Sequence, residues 1–212
     1  MILMGHAHST EFLCIIREGR APWSPRGFRP WFMAVAVAWV LVAVPFLRAQ
    51  SVKPTDYDVK AAYLYNFGHF VEWPANVASV QNESFTVCVL GQDPFGPVLD
   101  TTLAGETIAG KRVAAKRIST LQESGNCQIL FLSSAEAAQL NSIVKALSKQ
   151  AVLTVSDMPQ FSQRGGMIQF VLEGKRVRFE VNLAAVQHAG LTLSSELLKV
   201  ATTVRRNSSP GD

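Results

Sequence analysis

The sequence predicts an α/β fold, a three-layer sandwich whose sheet is mostly parallel and carries an antiparallel hairpin at one side. The first observation is a set of continuous apolar segments, each typical of a strand buried on both faces of a parallel sheet. These segments occupy residues 85–90, 127–132 and 151–155. The second is a pair of strand-like segments, 167–172 and 176–181, joined at residues 173–175 by a Glu-Gly-Lys turn that predicts the hairpin.

Two helices are predicted around the first buried strand. Residues 56–73 carry apolar side chains at helical spacing, and Pro74 ends that pattern. After the strand, residues 93–103 predict a short helix, because Asp93 is a suitable N-cap and Pro94 a suitable first residue. Helices before and after a buried strand agree with the α/β class.

The remaining elements follow in the same alternating order. Residues 113–118 predict a charged strand at or near a sheet edge. The sequence Ser-Ser-Ala-Glu at 133–136 is a capping box, and it predicts a helix that begins there and continues to about residue 148. Two short helices, near 183–189 and 194–204, complete the domain.

The N-terminal region predicts export. Residues 31–47 form an uncharged apolar segment that follows Arg26 and Arg29 and ends close to Ala49, which is the pattern of a secretory signal. We expect cleavage after Ala49. The alternative for residues 1–49 is an uncleaved inner-membrane anchor, whose preceding arginines would stay in the cytoplasm. Both readings place the rest of the chain in the periplasm.

The remainder of the chain is organised as a single domain. Residues 50–55 are interpreted as a linker, 56–204 as the domain and 205–212 as a flexible tail. The net charge of +4 misleads, because residues 1–49 hold five arginines and two glutamates and the rest is nearly neutral. A nearly neutral domain lacks the basic field that nucleic-acid binding requires, so no nucleic-acid partner is expected.

Two glycine-containing patterns resemble nucleotide-binding motifs, but each lacks residues that the motif requires. Residues 105–111 match the start of a phosphate-binding loop, yet Arg112 stands where Ser or Thr must hold magnesium. Residues 91–96 lack the glycine spacing of a dinucleotide site. The first is interpreted as a turn before a strand, and the second as a strand-to-helix turn.

The sequence offers no convincing catalytic or metal site. His69 and His188 lie in predicted helices with no other ligand type at suitable spacing. The serine pairs at 133–134 and 194–195 are interpreted as helix caps, and a nucleophile elbow is absent from the sequence. Strand ends and turns explain Asp157 and Glu180 more simply than an acid pair does. We therefore expect a protein that is not an enzyme and carries no metal or cofactor.

Cys88 and Cys127 are the two cysteines that follow the predicted signal, and each lies in a predicted buried strand. An exported domain with an even number of cysteines usually oxidises them, so a disulfide is expected if the strands are neighbours. The alternative is a pair of buried thiols that act as small apolar side chains.

The segment from 164 to 178 is the candidate partner-binding surface. Arg164 precedes Gly165 and Gly166, where the backbone can approach a neighbour closely or take a positive φ. The hairpin places Arg176 and Arg178 on the face opposite its apolar residues, and arginine is favoured at protein interfaces. The alternative is that these arginines only protect a sheet edge from aggregation.

Six blocks of the chain form an ordered series that is more specific than any single motif. The blocks are KAAYLYNFGHFVEWP (60–74), FTVCVLGQDPFG (85–96), CQILF (127–131), LTVSD (153–157), RGGMIQF (164–170) and VRFEVNLAAVQHAGL (177–191). In this order they resemble the YfiR-like family of exported bacterial proteins, and the resemblance covers about residues 56–204.

The resemblance implies a dimeric α/β regulator rather than an enzyme. Family members bind the periplasmic region of an inner-membrane diguanylate cyclase and repress it, which lowers cyclic di-GMP and biofilm formation. Capture by an outer-membrane lipoprotein, or envelope stress, releases the cyclase. Cys88 and Cys127 match a family pair that forms a disulfide, whereas a second pair found in some members falls near Ser162 and Gln169 and is missing here.

The leading interpretation is therefore a periplasmic homodimer that represses a membrane diguanylate cyclase, or another membrane sensor, by direct contact. The alternative is a periplasmic small-ligand-binding module that feeds a sensor kinase or transporter. Co-purification with a membrane sensor favours the first, and ligand-dependent melting of the protein alone favours the second.

Overall fold

The structure, a computed structural model, describes residues 54–74 and 84–206. The predicted signal or anchor at 1–49 lies outside these ranges, as do residues 50–53 of the linker and 207–212 of the tail. Within the described ranges, no helix has the length and apolar character needed to cross a membrane.

The elements alternate between helices and strands, as the sequence predicts. In chain order they are α1 (Asp56–Phe70), β1 (Val71–Glu72), β2 (Ser84–Leu90), α2 (Pro97–Leu103), β3 (Thr107–Ile108), β4 (Lys111–Ile118), a 3-10 helix (Leu121–Asn126), β5 (Ile129–Leu132), a 3-10 turn (Ser134–Glu136), α3 (Leu140–Leu147), β6 (Leu153–Ser156), β7 (Ile168–Glu173), β8 (Arg176–Asn182), α4 (Leu183–His188), β9 (Thr192–Leu193), α5 (Ser195–Val200) and β10 (Thr203–Arg205).

Eight of these strands form one sheet in the order β10-β8-β7-β6-β5-β2-β4-β3. The central strands β7, β6, β5, β2 and β4 run parallel to one another. β7 and β8 form the antiparallel hairpin, with Glu173 opposite Arg176. The charged strand β4 lies next to the edge strand β3, as its composition predicts. The α/β class with a mostly parallel sheet is therefore confirmed.

Apolar residues fill the space on both faces of this sheet. On one face, residues of α1, α2 and α5, such as Phe67, Leu99 and Leu197, pack against the strands. On the other face, Leu140, Ile143 and Leu147 of α3 cover β2 and β5. The sheet is therefore the middle layer of three, which explains why its central strands read as continuous apolar segments.

The first helix is shorter than the sequence predicts. It ends at Phe70, and Val71 takes extended backbone angles, φ −114° and ψ 135°. Val71 and Glu72 pair antiparallel with Leu193 and Thr192 in a separate two-stranded sheet. The prediction to Trp73 was wrong because Val71 also fits a helical pattern and its pairing partner lies far along the chain.

Two predicted helix starts were also wrong. Asp93 does not cap α2, which begins at Pro97 after Gly96. Asp93 instead accepts a hydrogen bond from the backbone nitrogen of Phe95 at 2.8 Å, in a local turn. Ser133 caps only the 3-10 turn, and α3 begins later, at Leu140.

The C-terminal segment differs in a similar way. The helix predicted over 194–204 ends at Val200, and a strand follows. That strand, β10, pairs parallel with β8 from Thr203 to Arg205, so Arg205 of the predicted tail belongs to the sheet. Two threonines and a valine at 202–204 favour the extended conformation, because branching at Cβ suits a strand better than a helix.

Candidate functional site

The two cysteines lie together in the core. Cys88 in β2 is opposite Leu130 of the neighbouring strand β5, and Cys127 lies just before that strand. Both are buried, and their Cα atoms are 5.8 Å apart with the sulfurs joined in a disulfide. That separation is typical of protein disulfides. The bond lies on the α3 face of the sheet, away from solvent, which suits a structural role.

Arg164, Gly165 and Gly166 lie in the loop between β6 and β7, against α3. The guanidinium of Arg164 donates to the side-chain oxygen of Asn141 at 3.0 and 3.2 Å. Gly165 has a φ of +95°, and a Cβ at Gly166 would collide with the ring of Phe161. The positive φ and the close approach expected from the sequence are both present, and here they serve packing within the chain.

Arg176 and Arg178 lie at the far end of the hairpin. Arg176 is exposed, and the nearest carboxylate to the half-buried Arg178 is Glu173, 3.9 Å away. β7 separates this end from Arg164 by roughly 20 Å, because each of its residues rises about 3.3 Å. The structure therefore does not bring Arg164 together with Arg176 and Arg178, although the sequence treats them as one segment.

A groove runs beside the two hairpin arginines. Its volume is about 670 Å³, and it separates the first turns of α1 from the end of the hairpin. Val59 and Tyr63 line its helix side, and Leu172 and Val177 line its hairpin side. Leu172 is 58% exposed, so the groove presents an apolar side chain to solvent.

A buried polar cluster lies at the carboxyl end of β6, and sequence reasoning missed it. The ammonium of Lys60 in α1 is 2.6 Å from a carboxylate oxygen of Asp157. The hydroxyl of Tyr57 donates to the same oxygen at 3.0 Å. Burial first, and then the charge and hydrogen bond of Asp157, raise the pKa of Tyr57 to about 12. The sequence signal was Asp157 directly after a buried strand, but nothing local identified its partners.

The turn after β2 is held by a second ionic group. Arg117 donates to Asp93 at 2.8 Å, to Asp100 at 2.7 Å and to the carbonyl oxygen of Gly96 at 2.7 Å. The hydrogen bond from Arg117 is the main cause that lowers the pKa of Asp100. The strand-to-helix turn predicted at 91–96 is thus tied to β4 by the contacts of Arg117 with Asp93 and Gly96.

Residues 105–111, which match the start of a phosphate-binding loop in sequence, form the turn before a strand that we predict. β3 and β4 pair antiparallel with Ile108 opposite Lys111, and Ala109 and Gly110 between them both have positive φ. A tight hairpin of this kind does not open a helix, which a phosphate-binding loop requires.

Ser194 caps α5 as the sequence predicts, Ser133 caps only the short 3-10 turn, and both histidines lie in helices as predicted. Ser133 and Ser194 accept backbone hydrogen bonds from Ala135 and Leu197. His69 and His188 are exposed at the ends of α1 and α4. Within residues 54–74 and 84–206, no group of three or more His, Cys, Asp or Glu side chains is arranged to hold a metal ion.

The positions expected to carry a second cysteine pair hold a hydrogen-bonded pair instead. The backbone nitrogen and hydroxyl of Ser162 lie 3.0 and 3.2 Å from the side-chain oxygen of Gln169. The hydroxyl of Ser162 also lies 3.0 Å from a carboxylate oxygen of Glu180. Polar contacts replace a covalent bond at this point, so this bridge cannot respond to redox changes.

A family model now relates this arrangement to known proteins. The model described as DUF4154, YfiR/HmsC-like, matches residues 57–202, which is most of the chain. The chain belongs to the YfiR/HmsC-like family. Membership suggests a periplasmic regulator of diguanylate cyclase signalling, and the family consists of regulators rather than enzymes.

Two solved structures share a distant likeness with this chain. A conserved domain protein from Vibrio cholerae O1 biovar eltor is similar at a TM-score of 0.45 and 11% identity, over 57% of this chain and 54% of that one. An ABC domain from Streptococcus pneumonia, solved in complex with L-Trp, is similar at 0.44 and 11%, over 68% and 61%. The chain spans less than two thirds of either protein, and neither likeness carries a functional argument.

Proposed function

We propose that this YfiR/HmsC-like protein is an exported regulator that binds the periplasmic part of an inner-membrane diguanylate cyclase and represses it, lowering cyclic di-GMP. The observation that carries the proposal is the family match over residues 57–202. The protein acts by binding and not by catalysing a reaction. It acts as a homodimer. Capture of this regulator by an outer-membrane lipoprotein releases the cyclase and relieves repression.

Repression by contact requires only a binding free energy. A regulator that favours the inactive form of a two-state cyclase shifts the population toward that form by its difference in affinity. Losing about 3 kcal/mol of that difference changes the equilibrium more than one-hundredfold. A modest change in the docking surface is therefore enough to release the enzyme.

The surface proposed for this contact is the hairpin end that carries Arg176 and Arg178. Both arginines are accessible, while the neighbouring Val177 and Phe179 are buried in the core. Arginine pairs well with carboxylates, so an acidic patch on the cyclase is the matching chemistry. Arg164, Gly165 and Gly166 already have packing partners within the chain, which leaves the hairpin arginines as the stronger part of the candidate surface.

A reversal of charge tests this proposal. The double variant Arg176→Glu with Arg178→Glu should fold normally yet fail to lower cyclic di-GMP when expressed in the native host. The matched control, Arg112→Glu with Lys116→Glu, changes the net charge equally on exposed residues of β4. It should repress like the wild type. If the wild type itself leaves cyclic di-GMP unchanged and captures no cyclase from membranes, the proposed function is wrong.

A second candidate function, binding of a small ligand for a sensor kinase or transporter, has one observation in its favour. A cavity of about 360 Å³ lies between α3 and α4, lined by Val144, Leu147, Met167, Asn182 and His188 among others. Its size and largely apolar lining fall within the range of ligand sites. Ligand-dependent melting of the purified protein, with no membrane partner, would favour this function over repression.

A further inference from the structure

The first half of β8 has an edge that the described strands leave open. β10 pairs with β8 only from Glu180 to Asn182, so within residues 54–74 and 84–206 no strand flanks positions 176–178 on that side. Thr202 donates from its backbone nitrogen to the carbonyl oxygen of Phe179 at 2.9 Å. The backbone of Phe179 therefore points away from β7. Because this direction alternates along a strand, the N–H and C=O groups of Val177 point outward as well.

The side chains at this edge differ sharply between the two faces of the sheet. Val177 and Phe179 are buried on the face that α1 covers. Arg176 is exposed and Arg178 is half-buried on the opposite face. A strand added beside β8 would alternate its own side chains between the same two faces. Its residues would therefore meet apolar groups and arginines in turn.

The groove beside the hairpin provides space next to the apolar side chains of this edge. It lies between α1 and the hairpin, with Val59 and Tyr63 on one side and the exposed Leu172 on the other, and Asp56, Arg176 and Arg178 also line it. Leu172 is opposite Val177 across the hairpin, so its side chain lies on that same face. An apolar side chain of an added strand would remove Leu172 from water.

The positive charge on the opposite face of the hairpin favours a binding partner with acidic side chains. Lys175, Arg176 and Arg178 follow one another around the turn, and Glu173 lies 3.9 Å from Arg178, too far for a strong charge-assisted hydrogen bond. The guanidinium groups therefore keep donors in the forked geometry that suits carboxylates.

We propose that this edge, the β8 edge (residues 175–178 with Leu172), binds an extended segment in which acidic and apolar residues alternate, added to β8 as a further strand. Strand addition of this kind takes affinity from main-chain hydrogen bonds and specificity from alternate side chains. The proposal rests on the proposed function for locating the segment in the membrane partner. The chemistry of the segment follows from the edge itself.

A second copy of this chain is a poorer occupant of the β8 edge. Pairing two such edges would bring the arginines of one copy against those of the other, and juxtaposed like charges oppose association. An acidic strand removes that repulsion.

Binding of short peptides tests the inference on the processed protein purified from its host. The probe is a fluorescent, acetylated peptide that alternates glutamate and valine, and its binding is followed by anisotropy. One control peptide alternates lysine and valine, and another carries the first sequence with every internal amide N-methylated. The acidic peptide should bind at least about tenfold more tightly than either control. Equal binding of the acidic and basic peptides, or binding that N-methylation leaves intact, overturns the inference.

Reciprocal charge reversal sharpens the test. Arg176→Glu with Arg178→Glu should lose at least about tenfold in affinity for the acidic peptide and gain affinity for the basic one, whereas Arg112→Glu with Lys116→Glu should do neither. Melting curves check that both variants fold. If no peptide binds and the hairpin variant alone changes the oligomeric state, the edge is an interface between copies and the inference is wrong. Repression of cyclic di-GMP by a variant that binds no peptide would leave the proposed function standing and refute this site alone.

Discussion

Lys60 and Asp157 form a buried ion pair across 97 residues of sequence, with the Lys60 ammonium 2.6 Å from a carboxylate oxygen. Their side chains are only 8% and 17% exposed. The same ammonium lies 4.1 Å from the centre of the Tyr57 ring, which adds a cation–π contact. The pair fixes the first half of α1 to the carboxyl end of β6, and each charge depends on the other for compensation.

Removing one partner of this pair should destabilise the protein strongly. Asp157→Ala leaves the Lys60 ammonium buried without a counter-charge, and we expect the free energy of unfolding to fall by about 3–5 kcal/mol. Replacing both residues, Lys60→Met with Asp157→Leu, should recover most of that loss, because no buried charge remains. Urea denaturation at neutral pH measures both effects.

The matched control is Asp100→Ala. Asp100 also pairs with an arginine, Arg117, but its side chain is 53% exposed, so its loss should cost less than about 1 kcal/mol. Equal losses for Asp100→Ala and Asp157→Ala would show that burial does not govern the strength of the Lys60 pair.

The phenol of Tyr57 should lose its proton at a higher pH than an ordinary tyrosine. Burial, followed by the charge and hydrogen bond of Asp157, raises its pKa from 10.0 to about 12. A raised pKa means that folding favours the protonated phenol. The resulting stability is complete below pH 10 and is lost as the pH rises toward 12.

Alkaline absorbance titration of tyrosinate should therefore show a component with a midpoint near pH 12 that Tyr57→Phe removes. The unfolding free energy of Tyr57→Phe should also fall less steeply than that of the wild type above pH 10. A wild-type titration in which all three tyrosines ionise together near their ordinary value would contradict this assignment.

The disulfide should be present in protein from the native host. Intact-mass analysis without reductant should find the protein lighter than its thiol form by the two hydrogen atoms that Cys88 and Cys127 lose on oxidation. Cys88→Ser should lower the free energy of unfolding by about 2–4 kcal/mol, because the bond closes a loop with a sequence separation of 39. Two thiols that react freely with an alkylating agent in unfolded, unreduced protein would refute the bond.

Export is expected from the apolar segment at 31–47 and its basic flank. Fractionation should place the domain in the periplasm, with a mature N-terminus near Gln50. A full-length protein that stays in the membrane fraction with its domain accessible from the periplasm would favour the anchor. A full-length protein in the cytoplasm would exclude both forms of export.

The parts of the fold that the sequence predicts well depend on patterns within a single element. The strand at 84–90 is identified by its continuous apolar residues, and the hairpin at 168–182 by its turn and alternation. The sequence left open whether the segments that carry Cys88 and Cys127 are neighbours, and the pairing of β2 with β5 brings the two cysteines together. A strand that is buried on both faces needs apolar residues at every position, and this local requirement is visible in the sequence.

The parts that the sequence missed depend on partners far along the chain. Val71 leaves the helix because Leu193 pairs with it. Thr203 enters the sheet because the second half of β8, from Glu180 to Asn182, offers it a pairing partner. Lys60 could not be assigned to Asp157 from spacing alone, since long-range contacts decide which buried charges meet. The candidate surface was predicted only as a segment, and β7 divides it into two separate places.

Gly68 provides a test of how closely α1 lies on the sheet. It is buried within the helix, and a Cβ there would collide with Cδ1 of Ile108 and lie 3.2 Å from the ring of Phe85. Replacing a helical glycine by alanine ordinarily stabilises by about 0.5–1 kcal/mol. Overpacking costs about 1–3 kcal/mol, so Gly68→Ala should be destabilising on balance. Denaturant unfolding gives the sign directly.

The neighbour that limits Gly68 can itself be shortened. Ile108→Val deletes the colliding methyl group and should cost about 0.5–1.5 kcal/mol alone. Added to Gly68→Ala, it should relieve the clash, so the double variant is more stable than the two separate losses predict. Gly125→Ala is the control, because nothing lies within 4 Å of a Cβ there, so it should not destabilise the protein and should show at most the ordinary small gain of a glycine-to-alanine change. If Gly68→Ala stabilises the protein and Ile108→Val adds independently, then α1 does not lie against β3 as closely as the structure places it.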